Sequence, residues 1–225
     1  MRIARTPRAA PGLALLLALC APGPSPAAEP APETPVVDSA MTWEEAVRNV
    51  SPRCPRAVLE RQRLVTVRYY SMDGRLHQGQ LVVDRRVVKD LEEVFALALA
   101  ERFPIDKVIP ISHPDFLRDG VWDDDLSMRA NNTSGFNYRR PTGGGRISDR
   151  GHAAGLAFDL NPRLNPYLKG KLVLPAGATY DPAVPGTLTA RSPIVRKLKQ
   201  LGWSWGGDWR TLKDYQHFQK SSPGE

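Results

Sequence analysis

Cysteine is scarce in this chain, which has only Cys20 and Cys54 among its 225 residues. Cys20 lies inside a predicted export signal, so the exported protein would keep one thiol and could form no internal disulfide. Prolines and arginines flank Cys54, and no recognisable base stands beside it to activate a nucleophile. We therefore interpret Cys54 as an ordinary, partly buried thiol.

Long apolar stretches are also missing, because the run at residues 13–19 is too short to span a membrane as a stable helix. It follows three arginines and precedes small residues and prolines, which is typical of a secretory signal peptide. We predict a signal peptide over residues 1–28 and an exported protein, periplasmic or associated with the cell envelope, without stable membrane insertion. Lipidation of Cys20 is the less favoured alternative, since the bulky Leu19 precedes it. Residues 29–41, rich in proline, alanine and acids, predict a disordered linker.

Dense basic runs interleaved with aromatic side chains do not occur, so the sequence gives no indication of nucleic-acid binding. The formal charge of +7 falls to +4 once the three signal arginines are removed, and this mild excess suits an anionic partner such as a cell wall. No segment repeats along the chain. We predict one domain over residues 42–220, and we expect a monomer.

Histidine is rare, with four in the chain, and His152 lies in the most informative segment, residues 148–167. Three large apolar residues there alternate with a small residue and Asp159, which is the period of a strand with one apolar face. The large residues are Leu156, Phe158 and Leu160. Gly155 allows a turn that brings His152 back toward the Asp159 carboxylate. We predict that His152 and Asp159 are two ligands of a metal, and a catalytic zinc site needs a third.

His217 is the best candidate for the third ligand. Asp214 stands three residues before it, a suitable place for a general base acting on a water molecule at the metal. His113 suits a ligand less well because it precedes Pro114 in a predicted loop, and we expect it at the substrate rim or in a structural role. We interpret His77 as a solvated polar residue in a turn.

The segments H-A-A-G-L-A-F-D-L-N-P, W-G-G-D-W and D-Y-Q-H-F together resemble a family of zinc metallopeptidases. The family includes D-alanyl-D-alanine carboxypeptidases and dipeptidases and the L-alanyl-D-glutamate peptidases of phage endolysins. Its usual pattern is S-x-H-x-x-G-x-A-x-D, followed later by an acid three residues before a histidine. The chain matches this pattern at His152, Gly155, Ala157, Asp159, Asp214 and His217. Arg150 replaces the serine, and the nearest serine is Ser148; the resemblance spans residues 79–219.

This resemblance implies a zinc ion held by His152, Asp159 and His217, with Asp214 as the general base. It also implies a substrate-facing arginine in residues 126–141. We assign that role to Arg139, with Arg140 as the alternative, because a fixed guanidinium can stabilise the carbonyl oxygen during peptide hydrolysis.

Further substrate contacts are predicted for Ser148, Arg140 and Trp209. Trp203, Trp205 and Trp209 suit a cleft wall beside His217, and a role in the core is an equal alternative for these tryptophans. The acidic run at residues 123–125 is interpreted as a solvated turn or the start of a helix, since three adjacent acids lack the spacing of a calcium loop.

The function implied is hydrolysis of peptide bonds in the stem peptides of bacterial peptidoglycan. Carboxypeptidase action at a D-Ala-D-Ala terminus and endopeptidase action between L-Ala and D-Glu both remain open. Two alternatives are a catalytically inactive, zinc-containing wall-binding protein, and a structural zinc protein with four protein ligands.

The order of elements predicts the fold class. Residues 64–70, 78–83 and 103–111 read as strands, and apolar residues at helical spacing predict helices over 87–103 and 192–201. Strands and helices mix without regular alternation, which favours an α+β fold with a small central antiparallel sheet flanked by helices. The resemblance implies the same fold, shared with the Hedgehog signalling domain.

Overall fold

The computed structural model describes residues 33–142 and 144–220. Within these ranges the helices are α1 (Trp43–Ala46), α2 (Arg56–Leu59), α3 (Val88–Ala100), α4 (Asp124–Arg129) and α5 (Pro193–Gln200). The strands are β1 (Val36–Val37), β2 (Gln62–Tyr70), β3 (Leu76–Asp84), β4 (Lys107–Val108), β5 (Leu117–Arg118), β6 (Val121–Trp122), β7 (Asn132–Thr133), β8 (Ala157–Asp159), β9 (Tyr167–Lys169), β10 (Leu172–Leu174), β11 (Trp203–Trp205), β12 (Lys213–Asp214) and β13 (His217–Lys220). No helix in the described part of the chain is long and apolar enough to cross a membrane.

The strands form several small sheets, and the α+β class is confirmed. Three sheets have three strands each, in the orders β1-β3-β2, β11-β13-β8 and β10-β9-β12. The first is built on the antiparallel β2–β3 hairpin, whose turn contains Met72-Asp73-Gly74. Strand β1 joins this hairpin in parallel. The antiparallel sheet predicted as a single central unit is thus divided, and β11-β13-β8 carries the candidate site.

One apolar core joins the hairpin sheet to the site-bearing sheet. Helix α3 contributes Leu91 and Val94, helix α5 contributes Ile194 and Leu198, and strand β8 contributes Phe158. Each of these side chains is almost completely buried. Their helical and alternating spacing explains why the sequence indicates the elements correctly, because each element must bury one face.

The ends of the helices follow the local sequence. Thr42 and Glu45 form a capping box at α1, since each side chain bonds to the other's backbone N–H group. Ser192 precedes α5, and Pro193 occupies its first turn. The strand predicted over residues 103–111 is reduced to β4, because the prolines at both ends of that segment cannot donate to a ladder.

Part of the predicted linker belongs to the fold. Residues 33–41 are described, and Val36–Val37 pairs with His77 and Gln78 of β3. The Ser39 hydroxyl donates to Oε1 of Gln80 at 2.7 Å. Composition misses this segment because an edge strand of two residues is held by backbone bonds and two polar side chains. Residues 29–32, and the signal peptide predicted over 1–28, lie outside the described residues.

His77 is buried, not solvated as its position in the sequence indicated. Its Nδ1 lies 2.9 Å from Oδ2 of Asp38, and its Nε2 lies 3.2 Å from Oδ2 of Asp73. Two carboxylates from separate segments thus satisfy both ring nitrogens.

Cys54 is a free, partly buried thiol, as expected, and burial raises the pKa of that thiol.

The segment between β8 and α5 is fastened at its base by two buried asparagines. Nδ2 of Asn161 donates to the carbonyl oxygens of Pro104 and Gly186 at 2.9 and 3.1 Å. Nδ2 of Asn165 also donates to the Gly186 carbonyl, and Oδ1 of Asn165 accepts from the N–H group of Leu188 at 2.7 Å. Both ends of the segment are therefore tied to the same point of the core.

Gly155 should tolerate no side chain. Its φ is 73°, and a Cβ would lie 2.0 Å from Oε1 of Gln62 and 2.7 Å from the backbone nitrogen of Asp84. An unfavourable backbone conformation alone costs about 1–3 kcal/mol. Gly155→Ala is expected to lower the free energy of unfolding by more than this, because of the added clash, and urea unfolding measures the loss. Gly177→Ala is the matched control, because its φ is 76° and nothing lies within 4 Å of its Cβ. Equal losses in the two variants would contradict the predicted clash.

Candidate metal centre and cleft

Asp159 and His217 face each other across a pair of antiparallel strands. They are direct partners in the β8–β13 register, so the ladder fixes their separation. The flanking residues Leu156, Phe158 and Leu160 are fully buried in the core, which confirms the predicted apolar face. The Asp159 carboxylate lies on the opposite face, where it is 4% exposed.

His152 reaches the same point from a 3-10 turn over Gly151–Ala154. Gly155 ends that turn in the left-handed conformation, and the N–H group of Leu156 then bonds to the Gly151 carbonyl at 3.0 Å. Nδ1 of His152 lies 2.7 Å from the carbonyl oxygen of Gly135. If Nδ1 carries the proton and donates it there, Nε2 faces the site as an unprotonated ligand atom, an arrangement common at metal centres.

The three candidate ligand atoms form a compact triangle. Nε2 of His152 lies 3.2 Å from both Oδ1 of Asp159 and Nδ1 of His217. Nδ1 of His217 lies 3.0 Å from Oδ1 of Asp159. Tetrahedral zinc at its usual bond lengths separates its ligand atoms by about 3.3 Å. Two imidazole nitrogens and one carboxylate oxygen at this spacing fit a zinc ion.

The charges at this triangle act strongly on one another. Burial alone would raise the pKa of Asp159, but the two histidines outweigh burial and hold that pKa well below its ordinary range. Burial alone would lower the pKa of His152, and the Asp159 charge reverses the direction, so that the pKa of His152 is raised. The metal-free site thus draws a proton onto His152, which a cation would have to displace.

Asp214 lies in the same cleft, on strand β12, where it pairs with Tyr167 of β9. Its Oδ1 is buried and has no hydrogen-bond partner among the described residues. Burial and the charge of Asp159 raise the pKa of the Asp214 carboxyl to about 6. A carboxylate with a raised pKa and a vacant oxygen is suited to accept a proton from a ligand.

The cleft has a volume of about 380 Å³, and its walls include eight of the residues that the sequence proposed for the site. These residues are Arg139, Arg140, Ser148, His152, Asp159, Trp209, Asp214 and His217. The Trp209 ring centroid lies 5.5 Å from that of His217, and Trp209 is 37% exposed. Ser148 and Arg140 are exposed at the rim, and the Ser148 hydroxyl accepts from the N–H group of Arg150 at 3.0 Å.

Residues 142–220 match the family model described as D-alanyl-D-alanine carboxypeptidase. No curated protein and no solved structure matches the chain. The matched segment contains the three candidate metal ligands and Asp214, whereas Arg139 and Arg140 precede it. The match supports the coarse prediction of a peptidase, and zinc is the metal expected of such a centre.

Two of the tryptophans belong to the core instead of the cleft. Trp203 and Trp205 are each 3% exposed and pack with Phe158 and Phe218. The N–H group of the Trp205 indole donates to the Tyr215 carbonyl at 2.8 Å, which ties β11 to the segment carrying Asp214. Of the three, Trp209 alone lines the cleft.

Gln216 and Met128 also line the cleft, and the sequence analysis missed both. Gln216 is 3% exposed, its Nε2 lies 3.5 Å from Sδ of Met128, and its Oε1 has no partner within the described ranges. The signal for Gln216 was its place between Asp214 and His217 in the motif. Met128 lies on α4, and nothing in its sequence context indicates the cleft.

The raised pKa of Asp214 predicts a pH dependence of stability in the metal-free protein. The unfolded carboxyl ionises near its ordinary value of 3.8, whereas the folded one holds its proton to about 6. Ionisation therefore opposes folding, and the cost grows between these values and is complete above about pH 6.

Asp214→Asn should consequently be more stable than the wild type by about 2–3 kcal/mol at pH 7 and equally stable near pH 3.5. Urea unfolding of both proteins in the presence of a chelator, at several pH values, measures the difference. A gain that does not vary with pH would show that the charge of Asp214 is not responsible.

Proposed function

We propose that this protein is an exported, zinc-dependent peptidase that hydrolyses peptide bonds in the stem peptides of bacterial peptidoglycan. The observation that carries the proposal is the triangle of two histidine nitrogens and one aspartate oxygen, 3.0–3.2 Å apart, in one cleft with the Asp214 carboxylate. The family match supports the peptidase class. Export rests on the signal peptide predicted over residues 1–28.

Zinc would be held by Nε2 of His152, Oδ1 of Asp159 and Nδ1 of His217. When bound, it supplies Lewis acidity that polarises a substrate carbonyl and lowers the pKa of water toward about 7. Among the described residues no fourth histidine, cysteine or carboxylate joins the group. An open fourth position is what catalysis needs, and a closed structural zinc site would require another ligand.

Asp214 accepts the proton of the attacking water and later delivers a proton to the leaving amine. Its pKa of about 6 in the absence of metal would fall near a divalent cation, so the carboxylate is ionised at neutral pH in either case.

Arg139 stabilises the negative charge that develops on the carbonyl oxygen. Its Nε is buried and has no partner in the described part of the chain, although the side chain lines the cleft. Arg139 is also close enough to His152 for its charge to act on the pKa of that imidazole. A fixed cationic donor beside the metal ligands fits this role.

The proposal predicts different outcomes for a ligand and for the base. Asp159→Ala should lose both zinc and activity, because two ligands do not hold the ion in a stable site. Asp214→Asn should keep one zinc per chain while kcat falls on the order of 100- to 10,000-fold. Elemental analysis of the purified variants, with peptide hydrolysis measured in parallel, tests both. Loss of zinc from Asp214→Asn would make Asp214 a ligand and remove it as the base.

The substrate is tested by mass spectrometry of purified muropeptides after incubation with the protein, with and without a zinc chelator. Loss of one terminal alanine that the chelator prevents would show a carboxypeptidase. Release of a peptide lacking the first L-alanine would show an endopeptidase. Unchanged muropeptides from a folded, zinc-loaded sample would reject hydrolysis of these peptides and favour a wall-binding role.

A further inference from the structure

Asp124 connects helix α4 to the arginine in the cleft. Its Oδ2 accepts a hydrogen bond from Nη2 of Arg139 at 2.6 Å, and its Oδ1 accepts from Nδ2 of Asn137 at 3.0 Å. The two ion-paired side chains are only 18% and 27% exposed. A short, charge-assisted bond in a half-buried setting restrains a guanidinium far better than a surface pair does.

Only one edge of the Arg139 guanidinium is committed by these bonds. Nη2 bonds to Asp124, and Nη1 donates to the Arg140 carbonyl at 3.0 Å. Nε remains buried and without a partner among the described residues. Both Nη atoms of the planar guanidinium are therefore held, and each keeps a second N–H group that these bonds do not use.

Residues 135–139, the segment that carries Arg139, also hold the candidate metal ligand His152. The Gly135 carbonyl bonds to Nδ1 of His152, and the N–H group of Asn137 donates to the His152 carbonyl at 3.0 Å. Asp124 bonds to both Asn137 and Arg139. Because Asn137 is also bonded to the backbone of His152, this one carboxylate fixes the position of the Arg139 side chain relative to His152.

Neighbouring acids on α4 do not take part. Asp123 caps the helix by accepting from the N–H group of Leu126, and Asp125 pairs with Arg129 on the exposed side at 2.8 Å. The prediction that this run begins a helix is confirmed. The alternative of a solvated turn does not hold for Asp124, whose carboxylate is bonded to Arg139.

We propose that Asp124 is a positioning residue that fixes the Arg139 guanidinium beside the candidate metal centre, so that an unused N–H group of the guanidinium meets the carbonyl oxygen during hydrolysis. The catalytic part of this proposal rests on the proposed peptidase function. The structural part, that Asp124 restrains Arg139, does not.

Asp124→Asn keeps the size of the side chain and removes its charge. With a stem peptide that the wild type cleaves as substrate, kcat should fall on the order of 10- to 100-fold. A catalytic group that is misplaced by about 1 Å lowers the rate by up to about that factor. KM and zinc content should change little, since the interaction with the oxygen is made in the transition state. Asp125→Asn is the matched control: it removes an ion pair from the same helical turn and should leave kcat unchanged.

A second substitution separates positioning from general damage to the fold. In an Arg139→Ala background, Asp124→Asn should reduce kcat no further, because the group that it positions is gone. An additional drop of the same size in that background would overturn the proposal, as would equal losses in Asp124→Asn and Asp125→Asn.

A readout without turnover keeps the two proposals distinguishable. The Nε–H proton of Arg139 can be followed by NMR in ¹⁵N-labelled protein and assigned by its absence in Arg139→Lys. Asp124→Asn should speed its exchange with solvent at least about tenfold, and Asp125→Asn should not. Unchanged exchange would reject the restraint even in an active enzyme. Faster exchange in a protein that cleaves no stem peptide would support the restraint and reject the proposed function instead.

Discussion

The attraction between the Asp159 carboxylate and two imidazoles is the interaction around which the rest of the site is built. A carboxylate that is 4% exposed is costly without partners, and His152 and His217 meet that cost from two different segments. His217 lies on the neighbouring strand, and His152 lies on a tight turn before Asp159. The strand register and the turn at Gly155 are therefore conditions for the chemistry as much as features of the fold.

The candidate metal ligands at the base of the cleft lie on packed elements, whereas the residues at its rim are exposed. Asp159 and His217 lie on the sheet β11-β13-β8, whose other face contributes Phe158 and Phe218 to the core, and His152 lies on the 3-10 turn that leads into this sheet. Exposed rim residues such as Arg140 and Ser148 come from the segment before the 3-10 turn. The reacting groups are thus placed by packed elements, whereas contacts with the outer parts of a substrate come from a segment with fewer constraints.

Sequence reasoning succeeded for the apolar face of β8, which the alternation of Leu156, Phe158 and Leu160 predicted. The motif also led to Asp214 and His217, which line one cleft, and their roles as base and ligand stay predictions. It could not show that Asp159 and His217 are direct cross-strand partners, because register depends on pairing between segments more than fifty residues apart.

The wrong predictions for individual polar residues share a cause. The role of a polar side chain depends on hydrogen-bond partners that are distant in the sequence. His77 and Asp38 are unremarkable in the sequence, yet they are bonded at 2.9 Å and help to bring residues 33–41 into the fold. Asp124 has two acidic neighbours and an ordinary position at the start of a helix, and only the fold brings it to Arg139. Apolar periodicity carries no information about such pairs.

The two asparagines at the base of the segment between β8 and α5 have a consequence for how the protein can change. Because Asn161 and Asn165 hold both ends of that segment at Gly186 and Leu188, its outer part behaves as a loop that is already closed. Doubling the length of a closed loop costs only about 0.6 kcal/mol. A change in the number of exposed residues near Gly177 should therefore leave the backbone of Asp159 in register.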